Sequence, residues 1–201
     1  MLNNVLASII GYLIGSIPFA LVIGKLFYKI DVREHGSGNL GGSNTGRTLG
    51  AKAGIIVSVL DVLKATIAMT LTHFIMPDAI VYAGFFATLG HCFPIFANFK
   101  GGKAVSTAFG FLLGISIFIT HQPLTDFILP LISFFILLYI TKMVALSSML
   151  ALLIATLGLW ITQGATLVPI TFTIITLIVI WRHRSNIERI INKTERKITW
   201  M

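Results

Sequence analysis

The residues able to do chemistry gather in three short polar stretches. The first, HGSGNLGGSNTGR from His35 to Arg47, interleaves Gly36, Gly38, Gly41, Gly42 and Gly46 with Ser37, Asn39, Ser43 and Asn44, and ends on a guanidinium. Bare backbone amides, small polar donors and an arginine are groups suited to holding a phosphate-like anion. Gly36, Gly38 and Gly41 also spell G-x-G-x-x-G. A dinucleotide fold needs that spacing between a strand and a helix, with an acidic ribose ligand about 20 residues on. No strand pattern and no such acid stand at the expected place, so the loop is read as an anion cradle.

The second stretch, GHCFPIFANFKGGKAVST, sets Lys100, Gly101, Gly102 and Lys103 immediately before an apolar helix expected to open near Ala104. Amides at a helix N-terminus attract anions, and two lysines reinforce them. The same lysines also suit ordinary anchoring on the cytosolic side. Ala104 after Lys103 excludes a Walker A loop, which needs Ser or Thr there. The third stretch, WRHRSNIERIINKTERK, runs from Trp181 to Lys197. Its Trp and basic residues suit an interface with anionic headgroups, a role with no use for His183 and Asn186. These two share a face if the last span continues as a helix. No carboxylate pair is placed for magnesium and His91-Cys92 is too small a set for zinc, so neither metal nor cofactor is expected. His91 and Cys92 are read as packing at the end of a span.

The elements that must position these groups are greasy. The 201 residues are 56% hydrophobic and only 11% charged, against about 25% charged in a soluble domain. Apolar runs long enough to cross a bilayer lie at roughly 4–28, 53–76, 79–97, 104–120, 124–141, 144–163 and 166–181. The expected fold is an all-α integral membrane protein, one domain over 1–201 with about seven transmembrane helices. Five or six spans result if close neighbours merge. Cys92 is the only cysteine, which excludes an internal disulfide. MLNNV carries no Lys or Arg and no cleavage-like site follows, so the first segment is expected to remain as a helix.

With the N-terminus outside, the segments 29–52, 98–103, 141–143 and the tail from Arg182 face inward. These and their flanks hold every Lys and Arg except Lys64, which lies within a span. That asymmetry is the positive-inside pattern, with the C-terminus cytosolic. The net charge of +8 then reflects topology and contact with anionic membrane lipid, with no call for nucleic acid. Gly11, Gly15 and Ser16 look like small-residue packing positions. Asp61 and Lys64, one turn apart, would each cost roughly 2.5–3.5 kcal/mol alone in a span, and pairing with each other is the cheap explanation.

Taken in order, the three stretches resemble the motifs of the bacterial acyl-phosphate:glycerol-3-phosphate acyltransferase family. Gly36 to Arg47 is similar to G-S-G-N-x-G-A-T-N-x-x-R, with Gly42 for Ala and Ser43 for Thr. Gly90 to Lys103 is similar to G-H-x-x-P-x-x-x-x-F-K-G-G-K-G, with Ala104 in place of the last Gly. His183 to Arg189 is similar to H-R-x-N-I-x-R, and Glu195 fits a downstream Glu although Lys193 replaces a Gly. Asp61 and Lys64 match a D-x-x-K pair. Where the family usually has a Ser stands Ala145, leaving Ser148 as the residue carried over.

The resemblance implies transfer of a fatty acyl group from acyl phosphate to the 1-hydroxyl of glycerol 3-phosphate, giving 1-acylglycerol 3-phosphate and phosphate. It implies that Lys103 and Arg47 neutralise phosphate, and that Ser37 with Gly38, Asn39, Gly41 and Asn44 completes one cradle. Gly101 and Gly102 would let the backbone approach glycerol 3-phosphate, His183 and Asn186 would orient the acceptor, and Ser148 would touch substrate. The base would be His183 or a substrate phosphate. The enzyme would sit in the bacterial cell membrane with its site at the cytosolic face, downstream of an acyl-phosphate-forming enzyme. The alternative is a transporter or exchanger of phosphate or a phosphorylated metabolite. A transporter would need polar residues through the full membrane depth, whereas the outer halves of these spans are almost uncharged. A plain anionic-lipid binder would leave Ser37, Asn39, His183 and Asn186 without a task.

Overall fold

The computed structural model describes residues 1–198, and helices are the only regular elements among them. The chain forms two compact units, Met1–Gly114 and a second from Ile115 onward. Among the described residues, five helices are long and apolar enough to cross a membrane, and a bent pair makes a sixth candidate.

In the first unit the span expected over 4–28 is present as Leu2–Tyr28, with a break in its helix. Helix α1 (Leu2–Gly15) stops at Ser16, and α2 (Phe19–Ile23) follows, running into a π-helical turn over Gly24–Tyr28. Pro18 stands at the break, because proline has no N–H to continue the hydrogen-bond ladder and its ring clashes with the preceding turn. A short 3-10 turn and the first glycine loop lead to α3 (Gly42–Leu49), an eight-residue helix inside the segment expected to be loop. Then come α4 (Ala51–Ile75) and α5 (Ile80–Cys92), and α6 (Val105–Phe118) carries the chain past the end of this unit at Gly114. The last has 14 residues, about 21 Å at 1.5 Å per residue. That is shorter than the run expected over 104–120 and less than a ~30 Å hydrocarbon core.

Small residues set the packing. Gly11 and Gly15 of α1 lie on the backbone of Ala83 and Ala87 of α5, so a methyl at either glycine would collide with main-chain atoms. Close backbone approach of this kind takes the place of the hydrophobic driving force that helices lack in lipid. Two carbonyl bonds reinforce it: Tyr12 donates its hydroxyl to the Phe93 carbonyl at 2.8 Å, and Thr66 of α4 donates to the Gly110 carbonyl at 3.0 Å.

The second unit holds α7 (Leu129–Thr141), α8 (Val144–Gln163), α9 (Leu167–Arg182) and α10 (Arg184–Ile191). Thr156 and Thr176 share a buried hydroxyl–hydroxyl bond of 2.9 Å between α8 and α9. The outer faces carry exposed Leu, Ile and Phe, such as Ile132, Phe135, Ile140 and Leu177, as helices bathed in lipid should.

Candidate active site

The first glycine loop is built around Asn44. Its side chain is 1% exposed, and Nδ2 donates to the Val32 and His35 carbonyls at 2.9 and 3.2 Å. Its Oδ1 accepts from the Ser37 amide at 2.8 Å and the Ser37 hydroxyl at 3.2 Å. Asn44 is therefore the staple of the loop and not, as expected, one of its ligand-facing groups. Ser37 stays exposed at the surface of the loop, but both of its donors are directed to Asn44. Gly36, at φ 64°, is packed so that a Cβ would strike Asn44 Oδ1. Gly38 is also left-handed at φ 68°, Gly41 caps the N-terminus of α3, and Asn39 is half-buried. Arg47 projects, exposed, from α3.

Just before the loop, Asp31 accepts from Arg33 Nε and Nη2 at 3.0 and 2.7 Å and pairs with Lys25 at 3.2 Å. The Arg33 hydrogen bonds hold the Asp31 carboxyl well below the usual carboxylate range, against the opposing effect of desolvation. The guanidinium is raised in turn by the same partner.

The second loop meets the first: Leu40, Pro94 and Gly101 line one small cleft with Ile17, Lys64 and His91. Gly101 and Gly102 are buried. Their missing side chains are expected to make room for phosphate, but the space they leave is filled by the chain itself. A Cβ at Gly101 would strike the His91 carbonyl and Pro94, and one at Gly102 would strike the His91 ring. The Gly102 amide donates to the His91 carbonyl at 3.0 Å. His91, expected to serve packing, thus packs on this loop and bonds its backbone. Lys103 follows half-buried, and Ala104 takes φ 60° before α6 begins at Val105. L-residues pay roughly 1–2 kcal/mol in that region, which explains a glycine at this place in the resembling motif.

In the second unit the expected straight continuation through the third motif is absent. The chain bends by 58° between α9 and α10, and His183 sits at the bend, 3% exposed. Its Nδ1 lies 2.8 Å from the Val179 carbonyl. A carbonyl only accepts, so Nδ1 carries the hydrogen and Nε2 is the nitrogen able to take a proton. Asn186, buried, donates through Nδ2 to Glu195 Oε1 at 2.7 Å, while Arg189 Nε donates to Glu195 Oε2 at 2.8 Å. Glu195 therefore fixes the amide of Asn186 and ties the tail to α10. Ser148, expected to touch substrate, is 2% exposed and donates back to the Val144 carbonyl at 2.7 Å.

The family model for glycerol-3-phosphate acyltransferase matches residues 5–193. The chain belongs to that family. The relative from Bacillus subtilis (strain 168) is 51% identical over 197 residues, 98% of either chain. One from Listeria welshimeri is 48% identical over 204 residues, 100% of this chain and 99% of its own. Among solved structures, the glycerol 3-phosphate form of PlsY, an integral membrane glycerol 3-phosphate acyltransferase, has a TM-score of 0.88 at 32% identity, with coverage of 98% of this chain and 96% of that one. Its lysophosphatidic acid form has a TM-score of 0.84 at 33% identity, covering 98% and 95%. Membership makes this chain a multi-pass membrane acyltransferase and favours that reading over transport.

Proposed function

We propose that this chain transfers a fatty acyl group from acyl phosphate to the 1-hydroxyl of glycerol 3-phosphate at the cytosolic face of a bacterial cell membrane. The observation that carries the reading is the likeness to a relative crystallised in both glycerol 3-phosphate and lysophosphatidic acid forms, the acceptor and product of this reaction.

The donor is a mixed anhydride, already activated, so the protein has to position two anions and stabilise departing charge. The acceptor oxygen attacks the acyl carbonyl carbon, the carbon–oxygen bond to phosphate breaks, and phosphate leaves with that electron pair. The hydroxyl proton goes to His183 Nε2 or to a phosphate oxygen. Lys103 and Arg47 neutralise phosphate charge, the first glycine loop with Ser37, Gly38, Asn39 and Gly41 cradles one phosphate, and the Gly101–Gly102 loop serves the acceptor. Asn186, held by Glu195, helps orient it. Asn44 is assigned to holding the first loop. Ser148 is left as a residue whose hydroxyl turns toward its own helix. Neither metal nor cofactor enters the scheme, and the acyl phosphate comes from a separate enzyme.

Purified protein in detergent, given acyl phosphate and glycerol 3-phosphate, should release phosphate only when both are present. In sealed vesicles a transporter would instead move labelled phosphate or glycerol phosphate without forming lipid, and that outcome would overturn the proposal.

A further inference from the structure

The charged pair within α4 does more than neutralise itself. Asp61 and Lys64 are each 2% exposed, and the ammonium makes three contacts: Asp61 Oδ1 at 2.9 Å, the Ile17 carbonyl at 3.2 Å and His91 Nδ1 at 2.7 Å. A lysine ammonium has three donors and no acceptor, so this set accounts for all of them. Two conclusions follow from that count. Lys64 is not itself an anion ligand, because its ammonium has no donor left for one. Facing the ammonium at 2.7 Å, with the Asp61 carboxylate oxygen farther off at 3.5 Å, His91 Nδ1 accepts, so the ring carries its hydrogen on Nε2, the atom lying against Gly102.

The three partners come from distant parts of the first unit. Ile17 lies in the break of the first span, where Pro18 removes the amide that would continue the ladder. Asp61 is on α4. His91 ends α5 and holds Gly102 twice, by its carbonyl and by its ring. Stability alone gives little reason to bury such a pair, since well-packed apolar side chains of similar size are often as good or better. Orientation does.

We propose that Asp61, Lys64 and His91 are positioning residues for the acceptor-phosphate loop: Lys64 fixes the His91 ring as the Nε2–H tautomer, and the ring sets the height of Gly102 and so of Lys103. The inference rests on the assignment of that loop to glycerol 3-phosphate made above.

Removing only one charge strands the other in a buried site, so the informative variant is the double apolar replacement Asp61→Leu with Lys64→Met. It should fold, with an unfolding temperature in detergent near that of the wild type. Its KM for glycerol 3-phosphate should rise on the order of ten- to hundred-fold, the range that small misplacement of a binding group produces, while kcat and the KM for acyl phosphate stay near wild type. His91→Gln, which keeps an acceptor for Lys64, should retain more acceptor affinity than His91→Ala. A folded double variant with wild-type KM would overturn the proposal. Nitrogen-15 NMR of the five histidines, assigned for this ring by loss of its signals in His91→Gln, reads the tautomer directly. Nδ1 bare and Nε2 protonated is the expected state, altered in the Asp61→Leu, Lys64→Met double variant, and a protonated Nδ1 in wild type would also refute the network. Wild-type protein inactive with both substrates would instead overturn the acyltransfer reading, and the NMR result would then decide the network by itself.

Discussion

Replacing Gly102 with alanine separates two reasons for a glycine at that position, room for a phosphate or room for His91. A Cβ there would lie 2.8 Å from Cε1 and 2.9 Å from Cδ2 of His91, and closer to Nε2. Carbon atoms rest at about 3.5–4.0 Å, so the ring or the loop must yield by roughly 1 Å. The ring is 6% exposed and held at 2.7 Å by Lys64, which makes the loop the part that moves. Overpacking of this kind costs about 1–3 kcal/mol, and a displacement of about 1 Å at a positioned group is worth up to roughly a hundredfold in rate or affinity. Gly102→Ala should therefore raise the KM for glycerol 3-phosphate by about ten- to hundred-fold, measured as initial rates of phosphate release at saturating acyl phosphate. His91→Ala removes the colliding ring. In that background the added effect of Gly102→Ala should shrink to within roughly twofold, the ordinary error of additivity. An equal penalty in both backgrounds would refute the His91 argument and return the glycine to a direct phosphate contact.

Asn44→Ala leaves the Ser37 amide and the Val32 carbonyl without their partner, at about 1–3 kcal/mol for each group that stays buried. It should lower the unfolding temperature and abolish activity because the Asn44 amide is spent on the loop's own backbone, whereas a stable variant altered only in KM would contradict its role as a staple. Asp31 has its folded-state pKa depressed, so its stabilising contribution is complete above the unfolded value near 4 and is lost as pH falls below it. The thermal stability gap between wild type and Asp31→Asn should thus be constant from pH 7 down to about 4 and narrow below that, and a gap that widens on acidification would reverse the sign of the argument. Cysteines introduced at positions 38 and 188 should resist a membrane-impermeant thiol reagent in intact cells if the positive-inside pattern sets the orientation, and labelling without permeabilisation would invert the topology.

The three motifs are legible in the sequence because their chemistry lies in residue type: glycines, small polar donors and cations clustered in a chain that is otherwise apolar. The Asp61–Lys64 pair is equally legible, being one helical turn apart. His91 is not, since it reaches Lys64 only when α5 packs beside α4, and nothing in local spacing records a contact across 27 residues. A signal was available all the same: a histidine at the end of an apolar span needs a partner, and Lys64 was the cation in a neighbouring span. The break in the first span was also readable, because Pro18 stands inside a helical run. Asn44 misleads for a physical reason. A side chain amide serves a phosphate or its own backbone with the same atoms, and only the fold of the loop decides between them. The second unit repeats the lesson: the 58° bend at His183 and the bond from Asn186 to Glu195, nine residues on, belong to the fold and not to local spacing.

Direct transfer is tested most closely by following phosphate and 1-acylglycerol 3-phosphate together in rapid-quench experiments, with acyl phosphate mixed first with enzyme alone and then with glycerol 3-phosphate. Cys92 is buried and Ser37 is bound into its own loop, so neither is poised as a covalent acyl acceptor. Without the acceptor, phosphate should stay at background, with no burst matching the enzyme concentration. On addition of the acceptor, phosphate and lysophospholipid should appear at equal rates, unchanged by a chelator or by Cys92→Ala. A stoichiometric phosphate burst before the acceptor is added, with an acyl adduct recovered on the protein, would contradict direct transfer.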